Sequence, residues 1–256
     1  MALTTRVYEP EGGKGDQTIV LAHGFTQNRN CWGSLVEILA LRHRVICVDL
    51  PGHGRSGHDD ATLEHSARLL AEVGGKAIYV GYSMGGRLAL HLAIQNPSPA
   101  LGLVLIGVNP GIKDPEQRKQ RALADAQLAD RLVREGLGSF LESWLQNPLF
   151  DGLSPEAAAL EERLTNRVEG LASSLRVRSV GRQQPLWAQA GNIEIPVLLI
   201  AGESDTKYRE SNDKLLTYLR QGASWVVPGS HAVHLQSPQM VAEAIEAHID
   251  DGSDDC

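Results

Sequence analysis

The sequence has few cysteines and no long apolar run, and each absence excludes a class of protein. Three cysteines in 256 residues are too few for a disulfide framework. No apolar run approaches the ~18 residues that span a bilayer. The opening segment MALTTRVYEP contains no apolar stretch typical of a signal peptide. We therefore expect a cytoplasmic protein that does not insert into membranes.

An excess of positive charge is also absent, since 31 acidic residues outnumber 24 Lys and Arg residues and the net charge is −7. This balance argues against a nucleic-acid partner. The sequence contains no Walker-type phosphate loop and no clustered metal ligands, so we expect neither a metal nor an organic cofactor. DLPGHGRSG over residues 49–57 contains a formal G-x-G-x-x-G. Its last glycine opens a polar stretch instead of a helix, which favours a rigid turn over a dinucleotide site.

Short apolar segments alternate with helical patterns along most of the chain. The predicted strands cover residues 18–22, 45–50, 77–81, 101–106, 197–201 and 224–227. Most are nearly continuous in apolar residues, as parallel strands buried on both faces are. Helical patterns at 31–41, 62–73, 84–95 and 240–249 lie between or after them. The sequence therefore predicts an α/β fold with a mostly parallel sheet and flanking helices.

The alternation stops after residue 110, where a long helical stretch without a clear strand begins. It is too long for a simple crossover connection. We predict a core over residues 1–110 and 186–250 and an inserted helical cap over 111–185. The acidic end, 251–256, is predicted to be a disordered tail.

A nucleophile motif lies between a predicted strand and a predicted helix. Gly81-Tyr82-Ser83-Met84-Gly85 matches G-x-S-x-G and follows the strand AIYV directly. Such a sharp turn exposes the serine hydroxyl at the top of the sheet, and the adjacent helix N-terminus adds positive potential. Ser83 is the predicted nucleophile or base.

Acidic and histidine partners follow later strands in the order that this motif requires. Asp205 lies in GESD after the strand VLLIAG, and Glu203 in the same loop is an alternative acid. GSHAVH, after the strand SWVV, offers His231 and His234. The strand ends bring these groups to one edge of the sheet, where sites gather in open α/β folds.

An early loop completes the predicted site. HGF, residues 23–25, follows a strand, and a backbone N–H of such a loop contributes to an oxyanion hole. We predict that the N–H groups of Phe25 and Met84 form it. His23 is expected to make structural hydrogen bonds only.

The motifs HGF, DLPGHGRSG, GYSMGGR, GESD and GSHAVH resemble the α/β-hydrolase superfamily over nearly the whole chain. GYSMGGR, NPGIKDPEQRKQR and WLQNPLF are similar to a narrower family, 2-succinyl-6-hydroxy-2,4-cyclohexadiene-1-carboxylate synthase of menaquinone biosynthesis. That family eliminates pyruvate from an enolpyruvyl polycarboxylate. The resemblance implies a cofactor-independent carbon–oxygen lyase in which Ser83 is a general base, together with two sets of residues. The implied triad is Ser83, Asp205 and His234, and the implied substrate contacts are Tyr82, Arg87, Arg121, Trp144 and Arg163.

Arg87 supports the narrower resemblance by its own chemistry. It lies four residues after Ser83, on the same helical face, where burial is costly unless an anion is bound. The alternative is a salt bridge to an acid of the cap. Arg118, one turn from Arg121, remains an alternative contact. The alternative for the cap arginines is a solvated helix face, and the alternative for Trp144 is the cap's own apolar core.

Two other functions remain open from the sequence. One is a serine hydrolase that cleaves esters or carbon–carbon bonds, and the other is a non-catalytic receptor of the same fold. An intact triad argues against the receptor. The expected partner is a small polycarboxylate substrate, and the expected assembly is a monomer or weak homo-oligomer.

Overall fold

The strands of the sheet follow the predicted segments with one addition. The computed structural model describes residues 2–10, 12–13, 15–57, 59–95 and 97–253, with side chains to residue 250. Its strands are β1 (Thr5–Tyr8), β2 (Thr18–Ala22), β3 (Arg44–Val48), β4 (Ala77–Tyr82), β5 (Ala100–Ile106), β6 (Val197–Gly202) and β7 (Gly222–Val227). The described strands form one sheet in the order β1-β3-β2-β4-β5-β6-β7.

The pairing is parallel from β3 to β7, and β1 pairs antiparallel with β3 at the edge. β4 and β6 are buried at every residue, which explains their continuous apolar sequence. β1 was not predicted from the sequence, because this edge strand is mostly exposed and has no buried apolar run.

Helices cover both faces of the sheet, so the predicted fold class is confirmed. The core helices are α1 (Ser34–Leu39), α2 (Leu63–Gly74), α3 (Met84–Gln95), α9 (Thr206–Leu216), α10 (Val233–Gln236) and α11 (Pro238–Ser253). One buried apolar cluster joins α2 and α3 to the sheet, and a second joins α1 and α11 to it. Burial of these two clusters supplies the main stabilisation of the core.

Five helices occupy the chain between β5 and β6, where the sequence predicts a cap. They are α4 (Pro115–Glu135), α5 (Leu137–Leu145), α6 (Pro155–Ala158), α7 (Leu160–Arg163) and α8 (Val168–Val177). α4, α5 and α8 share a small apolar cluster that includes Leu132, Phe140 and Leu171. No strand occurs among the described residues of this segment.

The predicted disordered tail lies only partly within the described chain. The backbone of 251–253 continues α11, contrary to the prediction, whereas 254–256 lie outside the described residues. Within the described ranges, no helix has the length and apolar character that crossing a bilayer requires.

Candidate active site

Ser83 lies at the turn between β4 and α3, with its backbone in the left-handed region. Its φ is 50°, an unfavourable conformation for a residue with a side chain. The Ser83 N–H donates to the Ile106 carbonyl at 2.9 Å, and the Arg87 N–H donates to the Ser83 carbonyl at 3.1 Å. These bonds fix the strained turn and hold the hydroxyl at the carboxyl end of the sheet, as the motif predicts.

Close backbone approach explains the glycines that follow the serine. A Cβ on Gly85 would lie 1.9 Å from the Ala22 carbonyl oxygen at the end of β2. A Cβ on Gly86 would lie 2.2 Å from a Val108 methyl carbon. Both distances are far below van der Waals contact, so α3 can start this close to the sheet only with glycine at these positions.

His231, and not His234, is the histidine that contacts the serine. His231 Nε2 lies 3.1 Å from Ser83 Oγ, and His231 Nδ1 lies 2.7 Å from Asp205 Oδ2. Because an ionised carboxylate only accepts, the proton sits on Nδ1 and Nε2 accepts from the hydroxyl. The expectation that His234 belongs to the triad is wrong.

His234 lies in an apolar pocket beneath this site. The chain turns into α10 after His231, and this turn directs the His234 ring between Trp32 and Tyr82, with ring centroids 5.1 and 4.1 Å away. Neither ring nitrogen has a hydrogen-bond partner among the described residues. Burial, and then the neighbouring His231, hold the pKa of His234 well below its usual value, so it is a neutral packing residue.

Asp205, and not Glu203, lies beside the imidazole. Asp205 is 7% exposed, whereas Glu203 is exposed to solvent. Gly107 provides the space for the ring, because a Cβ there would lie 2.8 Å from His231 Cε1. The ends of β4, β6 and β7 thus bring together the Ser83 hydroxyl, the Asp205 carboxylate and the His231 imidazole, with the imidazole hydrogen-bonded to both other groups.

The loop after β2 lies beside the serine as predicted. Within the described residues, neither the Phe25 nor the Met84 amide donates a hydrogen bond, and both residues line the cavity. Unpaired amide N–H groups beside a nucleophile can donate hydrogen bonds to an oxyanion. His23 makes two structural hydrogen bonds, Nδ1 with the Gly24 carbonyl and Nε2 from the Leu50 N–H.

The DLPGHGRSG segment is a rigid turn. The Asp49 carboxylate accepts hydrogen bonds from the Arg29 and Arg55 backbone N–H groups at 2.8 Å each. A Cβ on Gly54 would lie within 2.5 Å of the same carboxylate. The glycines therefore surround a buried acid instead of a phosphate.

A cavity of about 800 Å³ opens above Ser83 and His231, between the sheet and the inserted helices. The wall is strongly cationic, although the whole chain carries a net charge of −7. Its cationic lining residues are Arg87, Lys113, Arg121, Arg178, Lys207 and Lys214, against the two acids Asp114 and Asp125. Such a wall attracts an anionic ligand and focuses it towards the serine.

Arg87 lines this cavity and lacks a carboxylate partner within the described chain. Its guanidinium donates to neutral acceptors, Gln183 Oε1 at 2.9 Å and the Arg178 carbonyl at 2.7 Å. Burial lowers the pKa of Arg87 to about 10, which leaves it charged at neutral pH. The alternative of a salt bridge to a cap acid is therefore not realised, and the remaining N–H groups are available to an anion.

Arg121 lines the cavity, whereas Arg118 does not. Arg121 Nε pairs with Asp125 at 2.8 Å, and Asp125 also accepts from Ser179 Oγ at 2.6 Å. Arg118 donates to the carbonyls of Ile112 and Lys113 near the start of α4. The geometry favours Arg121 as the contact, and its role stays a prediction.

Tyr82 and Trp144 also line the cavity, in different ways. Tyr82 is 3% exposed and lies under the imidazole of His231, at a centroid distance of 5.2 Å. Trp144 contacts Phe25 edge-on and stacks on Phe140 at 6.0 Å, so it joins the cap core to the cavity wall. Both residues remain predicted substrate contacts.

Arg163 does not reach the cavity. It is 1% exposed, and its guanidinium donates to Thr26 Oγ1 and to the Ala158 carbonyl. These bonds tie the end of α7 to the loop after β2. The expectation that Arg163 contacts substrate is wrong, because the side chain points into this buried junction.

Two further residues of the wall, Lys207 and Tyr208, were not predicted from the sequence. The Tyr208 ring lies 4.4 Å from the His231 ring, and burial raises the pKa of Tyr208, so its hydroxyl stays neutral. Lys207 lines the cavity, and burial together with Arg121 lowers its pKa. Their adjacency to Asp205 in sequence is the one signal that could have identified them.

No group of three or more potential metal ligands occurs among the described residues.

The fold and the Ser83–His231–Asp205 arrangement define a class of protein, and sequence comparison agrees. Residues 19–244 match the model of the alpha/beta hydrolase family, and the chain belongs to this family.

Particular relatives narrow the resemblance. A putative 2-succinyl-6-hydroxy-2,4-cyclohexadiene-1-carboxylate synthase of Bacillus subtilis is 34% identical, over 93% of this chain and 92% of that protein. The synthase of that name from Serratia proteamaculans is 32% identical, over 94% and 95%.

Solved structures agree with this resemblance. MenH from S. aureus superimposes with a TM-score of 0.90 at 27% identity, over 97% of this chain and 98% of that one. A thermophilic esterase from Thermogutta terrifontis, solved with malate, gives a TM-score of 0.82 at 24% identity, over 98% and 93%, and supports the fold. The resemblance to the superfamily and to the synthase family is thus confirmed.

Proposed function

We propose that the protein is a lyase that eliminates pyruvate from 2-succinyl-5-enolpyruvyl-6-hydroxy-3-cyclohexene-1-carboxylate. The product is 2-succinyl-6-hydroxy-2,4-cyclohexadiene-1-carboxylate, a precursor in menaquinone biosynthesis. The observation that carries the proposal is Arg87, a charged side chain without a carboxylate partner, one helical turn from a serine hydrogen-bonded to an imidazole. The names of the relatives support the same reaction.

The substrate fits the cationic wall because it carries three carboxylates. A guanidinium binds a carboxylate through two parallel hydrogen bonds, which fixes both distance and orientation. Arg87 and Arg121 would hold two of these groups so that a ring proton lies within reach of Ser83 Oγ. Positioning of this kind supplies a large share of the rate in many enzymes.

Proton transfer begins at the serine. Ser83 Oγ removes the ring proton next to the succinyl carbonyl while its own proton passes to His231 Nε2, and Asp205 stabilises the imidazolium. The carbonyl oxygen gains negative charge and accepts hydrogen bonds from the Phe25 and Met84 N–H groups. No bond forms between the serine and the substrate.

Elimination completes the reaction. Electrons return from the dienolate through the ring and break the carbon–oxygen bond to the enolpyruvyl group. The leaving enolpyruvate oxygen takes the proton from His231 Nε2 and the enol tautomerises to pyruvate, which leaves His231 neutral and Ser83 as a hydroxyl for the next cycle. These steps use only side chains and amides of this chain and require no metal or organic cofactor.

The proposal includes the setting of the reaction. We propose that α4–α8 act as a cap that separates the bound polycarboxylate from bulk water. The buried thiols of Cys31 and Cys47 are both free, which favours a reducing cytoplasm. The protein is expected to work as a monomer or weak homo-oligomer.

A direct assay tests the proposal. Purified enzyme is given the enolpyruvyl substrate, and pyruvate is measured alongside hydrolysis of p-nitrophenyl esters. We expect pyruvate release by the wild type and none above background by Ser83→Ala. Ester turnover with an acyl-enzyme burst and no pyruvate would instead identify a serine hydrolase. Ligand binding without turnover of either compound would identify a receptor.

Arg87 gives the sharpest test of lyase against hydrolase. Arg87→Ala removes the cation that holds a substrate carboxylate, and we expect kcat/KM for pyruvate release to fall about 100-fold. Arg87→Lys keeps the charge without the planar fork and should recover part of the loss. Thermal unfolding of both variants is measured in parallel, because Gln183 loses a partner. A change of less than about threefold in Arg87→Ala would remove the main physical support for the lyase.

A further inference from the structure

Two lysines and one aromatic ring of the cavity wall form a cationic cluster with a second aromatic ring, apart from Ser83 and Arg87. We call Lys113, Lys214, Trp187 and Tyr218 the lysine–aromatic cluster. Lys113 Nζ lies 5.3 Å and Lys214 Nζ 5.0 Å from the centroid of the Trp187 ring. Lys113 Nζ also donates to the Tyr218 hydroxyl oxygen at 2.8 Å. Both ammonium groups are therefore held against the same indole.

The aromatic platform is fixed, whereas the two lysines are exposed to solvent. Trp187 is 6% exposed, and its Nε1 donates to the Gly111 carbonyl at 2.7 Å. Lys113, Lys214 and Trp187 all line the cavity. The cluster thus presents positive charge at the solvent-exposed part of the cavity, against a buried and hydrogen-bonded indole.

The two lysines lack the carboxylate partner that such an arrangement normally has. Among the described residues, no Asp or Glu oxygen lies within 4.0 Å of either Nζ. Contact with the indole stabilises each cation but does not neutralise its charge. A bound carboxylate would neutralise it through charge-assisted hydrogen bonds.

We propose that the lysine–aromatic cluster is a carboxylate subsite that captures one end of a di- or tricarboxylate ligand. The assignment of that ligand as the lyase substrate rests on the proposed function. With Arg87 and Arg121, the subsite supplies a third place for negative charge, so the cavity selects polycarboxylates over monoacids. Lys113 and Lys214 act in binding and take no part in the proton transfers.

Binding of citrate, measured by calorimetry, tests the subsite without any turnover. The test variant is Lys113→Gln/Lys214→Gln, and the control is Lys119→Gln, which removes an exposed lysine of α4 that does not line the cavity. We expect the Kd for citrate to rise about tenfold in the double variant and to change less than twofold in the control. An unchanged Kd in the double variant or an equal rise in the control would overturn the proposal. So would the absence of citrate binding by the wild type at roughly 10 mM, where even a weak millimolar site is occupied.

Steady-state kinetics then link the subsite to the reaction. With the enolpyruvyl substrate, the double variant should raise KM about tenfold, leave kcat within about twofold, and weaken the dependence of kcat/KM on salt. A fall in kcat with unchanged KM would contradict a role in binding. If the wild type releases no pyruvate while citrate binding still depends on the two lysines, the proposed function fails and the subsite stands.

Discussion

At the floor of the cavity, backbone segments approach each other so closely that only glycine fits at some positions, whereas the roof presents long charged side chains. The floor consists of the turn at Ser83 and the loops that carry Asp205 and His231, and the roof consists of α4–α8. At the floor, Gly85 and Gly86 would place a Cβ 1.9 and 2.2 Å from neighbouring atoms. In the roof, Arg121 contacts its surroundings through an exposed side chain.

The difference separates chemistry from recognition. Proton transfer needs fixed distances, and backbone packing against the sheet holds the catalytic atoms within tenths of an ångström. Recognition of carboxylates needs charge in a suitable place and tolerates side chains that adjust. We therefore expect floor substitutions to be severe and specific, and roof substitutions to be graded.

The largest effect should come from the floor, where two histidines lie close together but have different roles. His231→Ala removes the base that accepts the Ser83 proton, so kcat/KM for pyruvate release should fall about 10³-fold or more. His234→Phe keeps a ring between Trp32 and Tyr82 and removes buried nitrogens without partners, so activity should stay within about threefold. Pyruvate release by purified variants measures both. Equal losses in the two variants would contradict the assignment of His231.

The next effect concerns stability and compares one glycine from each region. Gly85→Ala drives a methyl group into the Ala22 carbonyl and should lower the free energy of unfolding by about 3 kcal/mol. At Gly138, within α5, the new methyl group would meet no atom within 4 Å apart from its chain neighbours and the backbone of its own helix, so Gly138→Ala should raise it by about 0.5 kcal/mol. Urea denaturation followed by circular dichroism measures both. Equal tolerance at the two sites would contradict the tight packing of the floor.

The sequence predicted most of the floor because its signals are local. The positions of most strands along the chain and the G-x-S-x-G turn follow from contiguous residues, and a buried parallel strand is apolar throughout. Asp205 was predicted for the same reason, because it lies three residues after the end of β6, in the loop that the strand pattern locates. The edge strand β1 has no such signal, because its residues are exposed.

The sequence could not choose between His231 and His234. Both follow β7 closely, and the choice depends on where α10 begins. The sequence pattern does not fix the start of a helix to within one or two residues. The prediction that Arg163 contacts substrate was wrong for a related reason, because the buried face of a short helix depends on what packs against it. In α7 the loop after β2 covers that face, and this contact joins residues 137 positions apart in sequence.

The smallest effect concerns two arginines one turn apart on α4 and tests which face of this roof helix points into the cavity. Arg121 lines the cavity beside Asp125, whereas Arg118 only donates to carbonyls at the start of the helix. Arg121→Ala should raise KM for the enolpyruvyl substrate about tenfold with little change in kcat, because a partly exposed cation contributes mainly to binding. Arg118→Ala should leave KM within about twofold, and steady-state pyruvate release measures both. A larger KM change in Arg118→Ala would mean that α4 presents its other face to the substrate, which would require the roof to rotate on binding.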